Sequence, residues 1–525
     1  MTLPIPASFL FFLFLLPMLS ADTSADREAL LSFKVAISDD PLGAMNSWNE
    51  STPLCRWRGV TCGSGTVNLS LNSLSGEIPS ALGNCSGLLH ISLWNNKLRW
   101  RIPGGISNCT KLETLSLSEN YLDGEILPEL GSFPKLQFLG LYSNNLRGPI
   151  PSTLADISTL TTLDLSSNGL RGGIPPELGP FPELQSLGLS SNNLTGGIPS
   201  SLANISTLTL LDLSNNGHGG SIPPELGHLS NLTVVFLFTN DLTGAIPPRL
   251  GNLSKLTDLH FYENLLVGEI PPELGGIKDL NFLDVYVNRL SGRIPSAIWN
   301  LSSLILLHAG YNQLSGPLPR DLGETLPNLA NLHLFGNQFE GGLPPSLSNA
   351  TGLEVVEVSQ NRLGGVIPFN LGKLQSLTWL ILSDNSFQAR EEEDWNFITS
   401  LTNCSNLTKM GLQNNSLGGV LPAAVANLSR KLDTLLIERN HIGGRIPEGL
   451  GSLGELSMLR MGRNLLTGEI PASFGELTDL KHLTLEDNKL SGEIPPSPGG
   501  LSNLSKLSLG GEPAGGEDSH RTLEA

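Results

Sequence analysis

The chain has 525 residues and a formal net charge of −18, with 31 lysines and arginines against 49 aspartates and glutamates. So acidic a chain offers no basic stripe to a phosphate backbone, which excludes nucleic acid as its partner. Past the N-terminal leader no run approaches the roughly 18 apolar residues that a membrane-spanning helix needs, so no membrane insertion of the mature chain is expected.

In chain order, residues 1–25 read as a secretory signal peptide. Phe9–Leu19 (FLFFLFLLPML) is apolar but too short to cross a bilayer, and the small residues Ala21 and Ala25 follow it. Secretion puts the five cysteines in an oxidising compartment. Cys55 and Cys62 lie close in CRWRGVTC, where a short loop can close as a disulfide. Cys85, Cys109 and Cys404 each precede an apolar strand pattern and read as small buried hydrophobes.

The remainder is periodic. The phrase G-x-I-P recurs, and six residues before its isoleucine stands an asparagine. From Asn72 to Asn312 that marker returns every 24 residues, and it continues through Asn337, Asn361, Asn385, Asn415, Asn440, Asn464 and Asn488. The template is L-x-x-L-x-L-x-x-N-x-L-x-G-x-I-P-x-x-L. Its L-x-L is a short strand, and the asparagine then turns the chain, its amide placed to satisfy backbone groups inside the coil. No single coil can bury its leucines, but stacked coils bury them against one another, so the fold is a solenoid with a continuous leucine core.

This pattern resembles the plant-type leucine-rich repeat. DREALLSFKVAISDDPLGAMNSWNESTPLCRWRGVTC resembles the N-terminal cap of plant leucine-rich-repeat receptor kinases, closest in feel to the immune-receptor group that includes the flagellin and rice bacterial-blight receptors. The resemblance implies an α/β solenoid, a superhelix with short parallel strands on its concave face. It also implies pairing of Cys55 with Cys62, with Trp48 and Trp57 packing nearby. The expected organisation is a cap over 26–63, about 18 repeats of about 24 residues over 64–509, an irregular insertion over 386–400 and a disordered tail over 510–525.

Once the asparagine fixes the register, alternation assigns each strand position a face. Positions −5 and −3 enter the core, while −6, −4 and −2 line the concave surface. At −4 the column runs from small polar residues into Phe236, His260, Asp284, His308, His333 and Glu357. At −2 it runs into Phe238, Tyr262, Tyr286 and, one coil beyond Gly310, Phe335. Strands about 4.8 Å apart make these one patch, and a contiguous exposed aromatic patch marks a binding site. The histidine and carboxylate column also invites a metal, but parallel side chains on a flat sheet rarely converge on one ion. Histidines beside carboxylates suit pH sensing better, and neither a metal nor a cofactor is expected.

Fifteen N-x-S/T sequons follow the leader. Eight of them, Asn84, Asn108, Asn204, Asn252, Asn300, Asn349, Asn403 and Asn427, lie twelve residues (thirteen for Asn427) before the next marker, away from the strands. The others are Asn49, Asn68, Asn193, Asn231, Asn406, Asn414 and Asn503; only Asn68 and Asn414 fall on concave positions, both outside the patch. Glycans there would leave the patch clear.

Between Asn385 and Asn415 the interval lengthens to 30 residues, and QAREEEDWNFITS replaces G-x-I-P. A longer edge loop with Trp395 and Phe397 anchored in the core is expected, a partner-docking loop being the alternative. A receptor of this family would go on to a membrane helix and a cytoplasmic kinase. Neither a Gly-rich phosphate loop nor an H-R-D motif occurs, and no Ser/His/Asp, Cys/His or paired-carboxylate constellation suggests an enzyme. The expected function is recognition of a peptide or protein on the concave face, with a co-receptor as a second partner, in plant defence or signalling outside the cell. The alternative is a secreted inhibitor of microbial cell-wall hydrolases.

Overall fold

The computed structural model describes residues 23–85, 87–492, 501–510 and 522–524. The expected leader and most of the expected tail lie outside the described residues. The chain divides into two compact units, 1–195 and 196–525.

The first unit opens with the helix Thr23–Ala36 and a loop closed by the Cys55–Cys62 disulfide. Phe33, Trp48 and Trp57 are buried beneath it. The two indoles stack at 5.2 Å, and Trp48 Nε1 donates to the Arg58 carbonyl, so the cap's largest apolar surfaces are buried without orphaning their polar edge. Strand Val60–Thr61 pairs antiparallel with Thr66–Asn68. From there one short strand per coil adds in parallel, through His90–Ser92, Thr114–Ser116, Phe138–Gly140, Thr162–Asp164 and Ser186–Gly188. A second parallel ladder, Ser75–Gly76, Lys97–Arg101, Tyr121–Glu125, Asn145–Gly148 and Gly169–Gly172, runs along another side of the coils. At the G-x-I-P glycine of this ladder stands Trp100, held at φ +71° and 61% exposed. Its neighbours in the column, Gly76 and Gly124, keep the positive φ that a bulky side chain resists.

The second unit repeats the plan. Its strand ladder runs Leu210–Asp212, Val234–Phe236, Asp258–His260, Phe282–Asp284, Leu306–His308, Asn331–His333, Val355–Glu357 and Trp379–Ile381, all parallel and in register. Val235 aligns with Leu259, Leu283, Leu307, Leu332 and Val356, and these residues are buried. Each such side chain contributes about 1.5–3 kcal/mol on leaving water. On a third side, turns of 3-10 helix such as Pro224–His228, Pro248–Asn252 and Pro272–Gly276 stack on one another.

The markers tie consecutive coils together. Asn240 Nδ2 donates to the carbonyls of Leu237 and Phe238 in its own coil and of Leu213 in the preceding one, while Oδ1 accepts from the His218 amide. Asn264, Asn288 and Asn312 repeat this set with their own neighbours. One amide thus satisfies four backbone groups that the leucine core would otherwise leave unpaired.

Over the insertion the chain forms strand Ser386–Ala389, a 3-10 turn Glu392–Trp395 and helix Asn396–Leu401. Trp395 and Phe397 are buried and stacked, and Trp395 Nε1 donates to the Gly418 carbonyl. The acidic run has a local use. Asp394 accepts the amides of Arg390 and Glu391, which cap the turn and hold its carboxyl below the usual range. Trp395 and Phe397 thus anchor the insertion in the core, while residues 390–393 stay exposed.

Candidate aromatic binding face

All ten residues of the expected patch sit on the strand face of the second unit, between Val234–Phe236 and Val355–Glu357. Nine are partly exposed, and Asp284, at 9% exposure, lies on the floor between its neighbours. The alternation that buries Val235 and Leu237 turns Phe236 and Phe238 outward.

The rings form two clusters rather than one sheet. In the first, Phe238 and Tyr262 stack at 4.3 Å with planes 10° apart, and Phe236 meets His260 edge-on at 5.0 Å. In the second, Tyr286 stacks on His308 at 4.4 Å and leans towards Phe335 at 5.7 Å, while His308 and His333 approach at 4.9 Å. Among the described residues no ring contact joins Tyr262 to Tyr286. The reason is local: Gly310 has no side chain, so the Phe335 ring tilts back over it, and a Cβ there would press against that ring. The second cluster closes around that gap.

Two rings were not anticipated. Phe282, at −6, lies 6.5 Å from His260. Tyr311, at −1, is 46% exposed and meets Phe335 edge-on at 5.1 Å. Its signal was present but hidden. The residue before each marker takes a left-handed conformation, here φ +45°, which breaks the alternation and turns an odd-numbered position onto the face.

The electrostatics of the face are one-sided. Asp284 Oδ2 lies 3.4 Å from His308 Nδ1, and its Oδ1 accepts the Tyr286 amide; Glu357 Oε2 lies 2.9 Å from His333 Nδ1. Burial lowers the proton affinity of His260, against the pull of Asp284 and Asp258. Burial, with Asp284 and Glu263 adding repulsion, pushes the Tyr262 phenol up to about 12. Burial raises Tyr286 as well, followed by Tyr311 and nearby carboxylates. Both phenols therefore stay protonated and able to donate. Among the described residues no group of three or more His, Cys, Asp and Glu side chains is arranged to hold a metal ion.

One coil further, Trp379 is already covered: Lys409 Nζ sits 4.1 Å from its ring centre. On the 3-10 side, Asn204, Asn252 and Asn349 close their turns and are exposed, as are Asn84, Asn108, Asn300, Asn403 and Asn427. Buried Cys85, Cys109 and Cys404 are free thiols, those of Cys109 and Cys404 pushed up to about 11, chiefly by burial, and Cys85 higher still.

A coil of parallel strand, asparagine turn and 3-10 segment around a leucine core defines a leucine-rich-repeat protein. Residues 23–63 match the Leucine rich repeat N-terminal domain, and 66–85, 111–133, 159–181, 183–205, 207–229, 328–350 and 479–501 match the Leucine Rich Repeat. The Arabidopsis receptor kinase HAESA, solved with the peptide hormone IDA and the co-receptor SERK1, is 33% identical with a TM-score of 0.79, over 93% of this chain and 86% of that one. The peptide hormone receptor RGFR1, solved with RGF2, is 32% identical with a TM-score of 0.74, over 84% and 77%. Receptor kinase-like protein Xa21 of Oryza sativa subsp. japonica is 51% identical over 81 residues, 15% of this chain and 8% of Xa21. The Arabidopsis receptor-like kinase EFR is 38% identical over 89 residues, 17% of this chain and 9% of EFR. The chain belongs to the plant leucine-rich-repeat receptor-kinase ectodomains, and its matches span only a small part of these curated relatives. No helix of the described residues is long and apolar enough to cross a membrane.

Proposed function

We propose that this chain is an extracellular ligand-recognition domain that binds a peptide or protein across the strand face of its second unit, in plant defence or signalling. The observation that carries this reading is the pair of partly exposed ring clusters around Tyr262 and Tyr286. Large rigid rings cost little side-chain entropy on binding and supply most of the energy of an interface. Sequons flank the coils but spare these clusters, and solved members of the family hold peptides. A co-receptor is the second expected partner, as SERK1 is for HAESA.

The test replaces Phe236, Tyr262 and Tyr286 by alanine in the secreted glycoprotein. Binding to a panel of microbial and plant peptides should fall by at least about tenfold, as loss of central aromatic anchors does elsewhere. The melting temperature should stay within a few degrees, because none of the three is core. Unchanged peptide binding by the triple variant would overturn the proposal. Loss of inhibition of pectin hydrolases, with no peptide bound by the parent protein, would favour the inhibitor function instead.

A further inference from the structure

Resting on the proposed binding face, we infer that the ligand segment seated on the first ring cluster is cationic, an arginine or lysine side chain laid against the exposed side of the Phe238–Tyr262 stack and neutralised by the carboxylates beside it. Two independent observations lead here.

The first is the distribution of charge. From Leu210 to Asp384, the strand-face positions of the second unit carry Asp212, Asp258, Glu263, Asp284, Glu357 and Asp384, and no lysine or arginine. Basic residues return only from Lys409 onward, with Arg439, Arg460 and Arg463. The only bases among the rings are the three histidines. Asp284 and Glu357 lie against two of them, whereas the Glu263 side chain is exposed and its carboxylate accepts only the Thr239 hydroxyl among its observed contacts, leaving acceptor capacity unused. An acidic ligand would meet uncompensated like charge at this face, and a neutral one would leave the field unused.

The second observation is how the same ladder treats a ring when a cation is at hand. Trp379 carries Lys409 over its face at 4.1 Å. Among the described residues the rings of Phe236, Phe238, Tyr262 and Tyr286 carry no such cation. A cation over an aromatic face is attracted by the ring quadrupole, the more so where carboxylates stand nearby and water is partly excluded. The chain fills this place itself at Trp379 and leaves it open at Tyr262. Arginine suits the site better than lysine, because its flat guanidinium stacks on a ring while its edge reaches a carboxylate.

The experiment titrates the full secreted chain with three short synthetic peptides. They share length and phenylalanine spacing and differ only in whether the residues beside the phenylalanines are arginine, glutamine or glutamate. The arginine peptide should bind about tenfold or more tighter than the glutamine peptide, and the glutamate peptide weakest. The preference should shrink in high salt and in the Asp258→Asn, Glu263→Gln double variant. Equal binding of all three peptides, lost in Tyr262→Ala, overturns the charge inference and leaves the ring face as the site. Equal binding unaffected by Tyr262→Ala overturns both. Tightest binding of the glutamate peptide, or no measurable binding of the arginine peptide, overturns the inference directly.

Discussion

His218 occupies the slot that leucine fills two residues after most markers, as Leu242 does after Asn240, with Phe339, Phe387 and Ile442 the apolar exceptions. It is fully buried, and neither ring nitrogen makes a well-formed hydrogen bond, although the Gly196 carbonyl exerts a weak pull towards the charged form. Burial lowers its affinity for a proton below the ordinary 6.5, as it does for His260. The folded chain therefore refuses a proton that the unfolded chain accepts. Stability is complete above the unfolded imidazole's value and falls as pH drops below it, by up to about 1.4 kcal/mol per pH unit for each such histidine. His218→Leu should flatten the decline in melting temperature between about pH 7 and pH 5, and should add about 1–3 kcal/mol by removing an unsatisfied buried group. An unchanged pH profile in thermal melts would refute this. At the same scale, Phe236 and Phe238 could be assigned a face from sequence because the asparagine fixes a strict alternation. The left-handed residue that turns Tyr311 outward breaks that alternation and stayed hidden.

At the scale of one coil, the stack depends on how closely the 3-10 turns approach. Gly251, in Pro248–Asn252, lies against the next turn, where a Cβ would overlap the Glu273 carbonyl. Gly251→Ala should cost about 1–3 kcal/mol by overpacking, read as a lower midpoint in urea. Gly352→Ala, which meets open space, should be close to neutral. Equal effects of the two would show that the close approach is not a constraint. The coil itself was readable, since L-x-L, asparagine and G-x-I-P each dictate a local conformation. The division of the rings into two clusters was not. It depends on side-chain tilt over Gly310, which repeat spacing does not encode.

Over the whole molecule, an acidic chain carries its sequons mostly on turns and the rings of its candidate face on strands, so glycans at those sequons would stand on a different side of the coil from a ligand on the rings. Glycopeptide mapping of the secreted protein should find glycans at Asn204, Asn252, Asn300 and Asn349. Their enzymatic removal should leave peptide affinity within about twofold, because they stand clear of the rings. A larger change in the titration would place them in the interface. The repeat architecture was plain from sequence because its signal is summed over many copies, whereas the candidate ring face departs from the average in only a few. The asparagine tether carries a last consequence for how such chains change over generations. Because each amide clasps the coil before it and its own, gain or loss of one entire repeat restores every clasp, and the 25-residue intervals before Asn337 and Asn440 keep theirs as well, so an extra residue between markers is absorbed away from the clasp. The stack can therefore be lengthened or shortened by whole coils without redesigning the scaffold, while single residues are gained or lost only between the clasped segments.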